Sequence, residues 1–305
     1  MRRIHFALPL AAALATAAGC SSSGSSDPTC TSSTGSALSV CAAGPTVKGV
    51  DVSVYQATVK WAQVKAAGNV FAIARVSDGT GYPDTQFAAN WSGMKSVGLV
   101  RGVYQFFRPE EDPIAQADLM LAKIADLAPG DLPPIMDMEV TDNVATATLQ
   151  ANMKKWLDHV EQKTGRTPMI YTAAFMSSAI GNGFSSYPLW VANYGVTCPT
   201  MPSNWAHWKF WQSSSAGTVS GISGSVDMDE FNGTLADLIK FAGGDGAADA
   251  GAHDAGGGGA DAGSHDAGAA NPPPPSGTQG GTMGSGSPPP TTGSATPASD
   301  PCVHP

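Results

Sequence analysis

The chain has 305 residues, of which 42% are hydrophobic and only 13% are charged, and its formal net charge is −9. This length and hydrophobic content allow one large folded domain. Because a nucleic-acid partner requires a basic surface, the acidic balance argues against nucleic-acid binding. No Cys-x-x-Cys spacing occurs, so a structural zinc site is not expected.

The first residues are typical of an export signal. An apolar run from Phe6 to Ala18 follows two arginines and is too short to span a bilayer. The sequence Ala-Ala-Gly-Cys at residues 17–20 resembles a bacterial lipoprotein lipobox, and this resemblance implies that Cys20 carries a lipid. Because the usual Leu is missing at Ala17, cleavage by a signal peptidase without lipidation is the alternative. We expect a signal peptide at residues 1–20 and an exported protein with a membrane anchor on Cys20.

A Ser/Gly-rich tether is predicted for residues 21–46. Besides Cys20 the chain has four cysteines, which an oxidising compartment would pair. These cysteines are Cys30, Cys41, Cys198 and Cys302. Four cysteines allow three pairings, and the sequence does not choose among them.

From Val47 onward, apolar strand patterns alternate with helical ones. The first predicted strands are Lys48–Val54, Phe71–Val76, Val100–Phe107, Pro133–Val140 and Pro168–Thr172. The helices predicted after them are Trp61–Ala67, Asp84–Val97, Asp112–Leu127, Ala145–Lys163 and Phe175–Ile180. Three strands with little helix between them come next, and these are Leu189–Tyr194, Trp208–Gln212 and Val226–Phe231, followed by a last helix, Thr234–Phe241.

This order predicts an α/β fold in which residues 47–242 form a single TIM-barrel-like domain of the (β/α)5(β)3 type, with sparse helices in the last part. A doubly wound open sheet is the alternative, but no Gly-x-Gly-x-x-Gly follows the first strand. Residues 243–305 are rich in Gly, Ala, Asp and Pro and are predicted to be a disordered tail.

Two carboxylates interrupt the otherwise apolar fourth strand, Asp137 and Glu139. Residues two apart in a strand share a face, and burying two unpaired carboxylates is costly, so this pair is expected to line a cleft. Asp51 and Asp227 fall in the first and last predicted strands, and the C-terminal strand ends of a barrel converge on one mouth. The structural alternative is a salt-bridged pair at a strand end.

Seven short motifs then occur in an order found in a known family. They are Gly49-Val50-Asp51-Val52-Ser53-x-x-Gln56, Gly102-x-Tyr104-x-Phe106, Asp137-x-Glu139, Tyr171-Thr172, Leu189-Trp190-Val191-Ala192-x-Tyr194, Trp211-Gln212 and Val226-Asp227-x-x-x-Phe231-x-Gly233. The series resembles the glycoside hydrolase family 25 lysozymes, which cleave peptidoglycan between N-acetylmuramic acid and N-acetylglucosamine. The resemblance covers about residues 48–242.

The resemblance implies a catalytic role for four acids. Glu139 matches the general acid, and Asp137 matches the carboxylate that steadies an oxazolinium-like intermediate formed by the substrate's acetamido group. A direct nucleophilic role for Asp137 is the alternative. Asp51 and Asp227 match the other acids that line the site.

Five aromatic residues of these motifs are expected to bind sugar rings, and they are Tyr104, Tyr171, Trp190, Tyr194 and Trp211. The alternative for each is a place in the barrel core. Family members often carry His where this chain has Gln105, and alternation places Gln105 on the face opposite Tyr104, where a structural role is plausible.

The resemblance therefore implies an exported peptidoglycan hydrolase that acts on glycan strands as a monomer, without cofactor or metal. A non-catalytic peptidoglycan-binding module of the same fold is the main alternative. A metal-dependent polysaccharide deacetylase is a weaker one, because it would need paired histidines and the domain has only His159 and His207.

Overall fold

A computed structural model describes residues 38–202 and 205–244 of the chain. The predicted signal peptide, the tether up to residue 37 and the tail from residue 245 lie outside the described residues, and so do Cys20, Cys30 and Cys302. Within the described ranges, no helix combines the length and the apolar character that crossing a membrane requires.

The described residues form nine strands and six α-helices. The strands are β1 (Thr46–Val52), β2 (Phe71–Asp78), β3 (Tyr82–Pro83), β4 (Val100–Phe106), β5 (Ile135–Asp137), β6 (Met169–Ala173), β7 (Leu189–Ala192), β8 (Phe210–Gly217) and β9 (Val226–Asn232). The helices are α1 (Trp61–Ala66), α2 (Phe87–Ser96), α3 (Pro113–Lys123), α4 (Thr146–Thr164), α5 (Ser177–Ile180) and α6 (Leu235–Phe241). Short 3-10 turns cover Val54–Gln56 and Ala174–Met176.

Eight of the strands close into a barrel. Strands β1, β2, β4, β5, β6, β7 and β8 pair in parallel in that order, and β9 pairs antiparallel to both β8 and β1. The two-residue β3 forms a hairpin on β2 outside the barrel. The closed sheet confirms the predicted barrel with few helices in its last part. The doubly wound alternative is wrong, because an open sheet would leave β1 and β9 as unpaired edges.

Alternate side chains of the strands enter two separate cores. On β5, Ile135 packs inside the barrel with Phe71 and Phe210, whereas Met136 packs outside it against the helices. This alternation directs Asp137 inward like Ile135. The barrel interior is therefore apolar at the strand starts and carries polar side chains towards the strand ends.

The fourth strand of the barrel is shorter than predicted. The prediction spans Pro133–Val140, but β5 covers only Ile135–Asp137, so Glu139 lies past the strand end. The two prolines before Ile135 have no N–H to donate to a neighbouring strand, so the strand pairing begins only at Ile135.

Helix α3 begins as the sequence predicts, with Asp112 as its cap, because the Asp112 carboxylate accepts from the backbone N–H of Ile114 at 2.8 Å. Helix α2 begins later than predicted. The Asp84 carboxylate accepts from the backbone N–H groups of Val54 and Gln86. Asp84 therefore holds the loop before α2 against the turn that follows β1.

One disulfide joins Cys41 to Cys198 across a sequence separation of 157 residues. It fixes the segment before β1 to the loop between β7 and β8. The indole N–H of Trp208 donates to the backbone oxygen of Val40 at 2.7 Å, and Ser39 bridges to Thr200 beside the disulfide. The pairing that the sequence left open is thereby resolved for these two cysteines.

Gln105 is buried on the outer face of β4, away from the barrel interior. Its amide nitrogen donates to Ser77 Oγ and to the backbone oxygen of Gln116, each at 2.9 Å, and its oxygen accepts from the Trp156 indole at 2.8 Å. All the strong hydrogen-bonding groups of this side chain are satisfied, so Gln105 joins the barrel to its helices.

Candidate active site

A cavity of about 500 Å³ opens at the C-terminal ends of the parallel barrel strands. It is lined by Asp51, Ser53, Tyr55, Gln56, Arg75, Tyr104, Phe106, Asp137, Glu139, Tyr171, Trp190, Tyr194, Gln212, Ser215, Ala216, Ser223, Gly224, Ser225, Val226 and Asp227. This is the end of a parallel barrel where loops of variable sequence assemble binding sites.

All four predicted acids line this cavity. Asp51 is the second-to-last residue of β1, and Asp227 lies opposite it on β9 in the antiparallel register. Asp137 is the last residue of β5, and Glu139 follows two residues later. Asp51 and Asp137 are buried, with 3% of each residue exposed, whereas Glu139 and Asp227 are partly exposed. The structure thus brings together carboxyl groups from three separate parts of the chain.

Four of the five predicted aromatic residues also line the cavity. The rings of Tyr171 and Trp190 lie 4.5 Å apart, and those of Tyr104 and Trp190 lie 6.1 Å apart, both edge to face. Tyr194 is the most open of them, with 37% of the residue exposed. Flat aromatic faces beside hydroxyl groups can bind both the apolar and the polar parts of a sugar ring.

Trp211, which the sequence analysis expects to bind substrate, does not line the cavity. On β8, Phe210 and Gln212 point into the barrel, so Trp211 points outward. It packs against Trp208 with ring centres 6.0 Å apart, and its indole N–H donates to the backbone oxygen of Asn193. Its neighbour in the same motif, Gln212, is the residue that reaches the cavity.

Gln212 links three groups of the site through hydrogen bonds. Its oxygen accepts from the hydroxyl groups of Tyr171 at 2.7 Å and Tyr194 at 2.6 Å. Its nitrogen donates to Asp51 Oδ2 at 2.6 Å. This bridge fixes two aromatic hydroxyls relative to one acid, and strand alternation on β8 could have predicted it.

Asp229 is a fifth acid that the sequence analysis missed. It lies two residues after Asp227 on β9, has only 1% of its surface exposed, and accepts from the Trp190 indole at 2.9 Å. Burial, followed by repulsion from Asp227, raises the pKa of Asp229 well above its ordinary value. Burial and repulsion from Asp229 likewise raise the pKa of Asp51. The signal in the sequence was alternation, since Asp227 and Asp229 share a face.

Arg75 was also missed. Among the described residues that line the cavity, it is the only Lys, Arg or His. Its Nε lies 3.3 Å from Asp84 Oδ2, and its guanidinium lies over the Tyr55 ring, 5.2 Å from the ring centre. A charged residue inside the apolar β2 sequence was the available signal.

The hydroxyls of Tyr104 and Tyr171 remain neutral donors across the physiological pH range. Burial, followed by the charge of Asp51, raises the pKa of Tyr104 well above its ordinary value. Burial, followed by the charge of Glu139, does the same to the pKa of Tyr171. Both hydroxyls therefore stay protonated and can donate hydrogen bonds.

A barrel cleft that combines clustered carboxyl groups with aromatic faces is the arrangement of a glycoside hydrolase. Comparison with known proteins agrees with this class. The sequence pattern of the family described as glycosyl hydrolases family 25 matches residues 50–222. The chain belongs to this family.

Individual relatives support the assignment. Over 209 residues the chain is 37% identical to lysozyme M1 of Streptomyces globisporus, covering 64% of this chain and 71% of that protein. It is 32% identical over 217 residues to the N,O-diacetylmuramidase of a Chalaropsis species, covering 65% of this chain and all of that protein. The crystal structure of a bacterial lysozyme from Streptomyces coelicolor superposes with a TM-score of 0.61 at 34% identity, covering 65% of this chain and 97% of that one.

Proposed function

We propose that the barrel is a lysozyme of the muramidase type, a 1,4-beta-N-acetylmuramidase. It hydrolyses the bond between N-acetylmuramic acid and N-acetylglucosamine in peptidoglycan glycan strands. The observation that carries this proposal is the meeting of Asp137 and Glu139 in one aromatic cleft of a family 25 barrel. The similarity to lysozyme M1 and to the Chalaropsis N,O-diacetylmuramidase supports the choice of substrate.

In the proposed reaction Glu139 is the general acid. It donates its proton to the glycosidic oxygen as the bond from that oxygen to the sugar C1 breaks. The acetamido oxygen of the same sugar then bonds to C1 and forms a positively charged oxazolinium. Asp137 orients the acetamido group and stabilises the positive charge on it. A water molecule then attacks C1, the bond from C1 to the acetamido oxygen breaks, and Glu139 takes up the proton of the water.

The other lining residues have supporting roles in this proposal. Asp51 and Asp227 hold the substrate and the charged intermediate through hydrogen bonds and charge. Tyr104, Tyr171, Trp190 and Tyr194 bind the sugar rings, and this role is supported by their place on the cavity wall.

Hydrolysis of purified peptidoglycan tests the proposal. Wild-type protein should clear the suspension and release reducing ends that belong to N-acetylmuramic acid. Glu139→Gln should lower kcat/KM by about 100-fold or more, since general acid catalysis contributes roughly 10²–10⁴-fold. Glu161→Gln is the matched control, because Glu161 lies on helix α4 outside the cavity and should leave the rate unchanged. A folded wild-type protein that binds peptidoglycan without turnover would instead identify the barrel as a binding module.

We also propose how the remaining chain delivers this activity. Residues 1–20 form a signal peptide and residues 21–37 a tether, whereas residues 38–46, predicted as part of the tether, are fixed to the barrel by the Cys41–Cys198 disulfide. Residues 47–242 form the catalytic barrel and residues 243–305 a Gly/Ala/Asp/Pro-rich tail. Cys20 carries a lipid that holds the enzyme at the cell envelope, where its substrate lies. Labelling of growing cells with a clickable fatty acid should mark wild-type protein but not Cys20→Ser, and only the variant should leave the membrane fraction. Equal labelling of both would refute the anchor.

A further inference from the structure

Two carboxyl groups, Asp51 and Asp229, lie side by side on adjacent strands, and of the two only Asp51 lines the cavity. In the register of these strands, Gly49 of β1 pairs with Asp229 of β9. Only 3% of Asp51 and 1% of Asp229 is exposed. In the described part of the chain neither of them forms an ion pair with a Lys, Arg or His side chain. Two adjacent buried carboxylates without a cation repel each other strongly.

The hydrogen bonds around the pair leave one buried oxygen of Asp229 without an N–H or O–H donor. Asp229 Oδ1 accepts from the Trp190 indole at 2.9 Å, whereas Asp229 Oδ2 meets no N–H or O–H donor within the described residues. Asp51 Oδ2 accepts from Gln212 at 2.6 Å. The two carboxyl groups lie within hydrogen-bonding reach of each other. That contact is attractive only when one of them carries a proton.

The surroundings favour the proton on Asp51. Burial and the charges of Asp229 and Glu139 raise the pKa of Asp51. The hydrogen bond between the two acids raises the pKa of Asp51 further and acts in the opposite direction on Asp229, whose pKa burial and the charge of Asp227 nevertheless raise above its ordinary value.

We propose that Asp229 is a positioning residue that accepts a hydrogen bond from Asp51 and so holds Asp51 in the cleft as a neutral carboxylic acid. This inference rests on the proposed function in so far as it concerns catalysis. The pair then carries one negative charge instead of two, and that charge lies on Asp229, outside the cavity lining. Asp51 therefore adds no ionised carboxylate beside Glu139.

Several other titratable or charged groups lie around this pair and contribute to the electrostatic potential there. They are Asp227 on β9, Asp137 at the end of β5, Glu139 beyond it, Tyr104 on β4, Tyr171 on β6 and Arg75 on β2. Asp229→Asn moves the negative charge of the pair to Asp51 without altering its total, because residue 229 becomes neutral and Asp51 releases its proton to solvent.

Asp229→Asn tests the catalytic consequence. The amide can still accept from Trp190 and can donate to Asp51, which then becomes ionised beside Glu139. An ionised neighbour raises the pKa of an acid. We expect the basic limb of the kcat/KM–pH profile to move to higher pH by about one unit. Asp158→Asn, an exposed change on helix α4, is the matched control and should leave the limb in place. A folded Asp229→Asn variant with an unmoved limb overturns the catalytic role.

Infrared spectroscopy without substrate tests the protonation itself. In a Glu139→Gln background, which removes the acid proposed to donate in catalysis, we expect a carboxylic-acid carbonyl band at pH 7 that shifts in D₂O. The double variant Glu139→Gln/Asp229→Asn should lose it. Absence of the band from Glu139→Gln, or its persistence in the double variant, overturns the proposal.

The two experiments remain informative under different failures. If Asp229→Asn does not fold, the presence or absence of the band in Glu139→Gln alone decides whether a neutral acid exists. If wild-type protein does not hydrolyse peptidoglycan, the proposed function fails, whereas the infrared result still supports or refutes the shared proton.

Discussion

The buried acid pair predicts an unusual dependence of stability on pH. In the unfolded chain both Asp51 and Asp229 ionise near pH 4, as ordinary aspartates do. In the folded protein burial raises the pKa of each, followed by repulsion from Asp229 for Asp51 and by repulsion from Asp227 for Asp229. Between the unfolded and the folded values the native state binds one more proton than the unfolded state. Stability contributed by the pair is therefore greatest at low pH and is lost as the pH rises through this interval.

The pH dependence of the free energy of unfolding is set by the number of protons that the folded pair retains. One shared proton gives a slope of about −1.4 kcal/mol per pH unit in the free energy of unfolding. A proton that the pair keeps up to pH 7, as the proposed acid pair requires, therefore costs about 2.7 kcal/mol between pH 5 and pH 7. Asp51→Asn should abolish the cost, because its amide can accept from Gln212 and donate to Asp229 without taking up a proton.

Thermal and urea unfolding of wild type and Asp51→Asn at pH 5, 6 and 7 measure the difference. The variant should gain stability relative to wild type as the pH rises, by about 5–10 °C in Tm between pH 5 and pH 7 for a domain of this size. Asp158→Asn should follow wild type, since Asp158 lies on the surface. If the stability of wild type and of Asp51→Asn changes in parallel with pH, the shared proton is refuted.

Three further substitutions test the scaffold. Cys41→Ser removes the disulfide to Cys198, which spans a sequence separation of 157 residues. Chemical denaturation should show that the free energy of unfolding falls by about 2–4 kcal/mol, whereas kcat/KM should stay within about twofold. Gln105→Leu should cost about 1–3 kcal/mol because the Trp156 indole loses its acceptor, with the pH profile of activity unchanged. Gly165→Ala should cost about 1 kcal/mol because the residue after helix α4 has φ of +67°, and an unchanged Tm would contradict this.

Hydrophobic periodicity predicted the succession of strands and helices, because alternation and helical spacing are local properties. It did not reveal that β9 runs antiparallel to both neighbours, since strand direction depends on the connections and on closure of the sheet. The hairpin strand β3 was also missed. It has only two residues, Tyr82 and Pro83, and its ladder depends on β2 rather than on its own sequence.

The site was predicted where a residue type was unusual for its strand, as at Asp137 and Glu139. Which of two neighbouring residues of one motif reaches the cavity was not identified from the sequence. Trp211 was favoured for its ring, yet strand alternation gives the inner face to Gln212. The link between Asp51 and Asp229 could not be predicted, because it depends on the register of β1 against β9 and on burial, neither of which a single sequence specifies.

The most direct test of the proposed muramidase reaction is to identify the new sugar ends that wild type and Glu139→Gln release from purified peptidoglycan. Borohydride reduction followed by mass spectrometry determines which sugar carries each new end. We expect reduced N-acetylmuramic acid at the ends released by wild type, and a rate about 100-fold or more lower for the variant. Ends that carry reduced N-acetylglucosamine would contradict the proposed bond, and equal rates for the two proteins would contradict Glu139 as the proton donor.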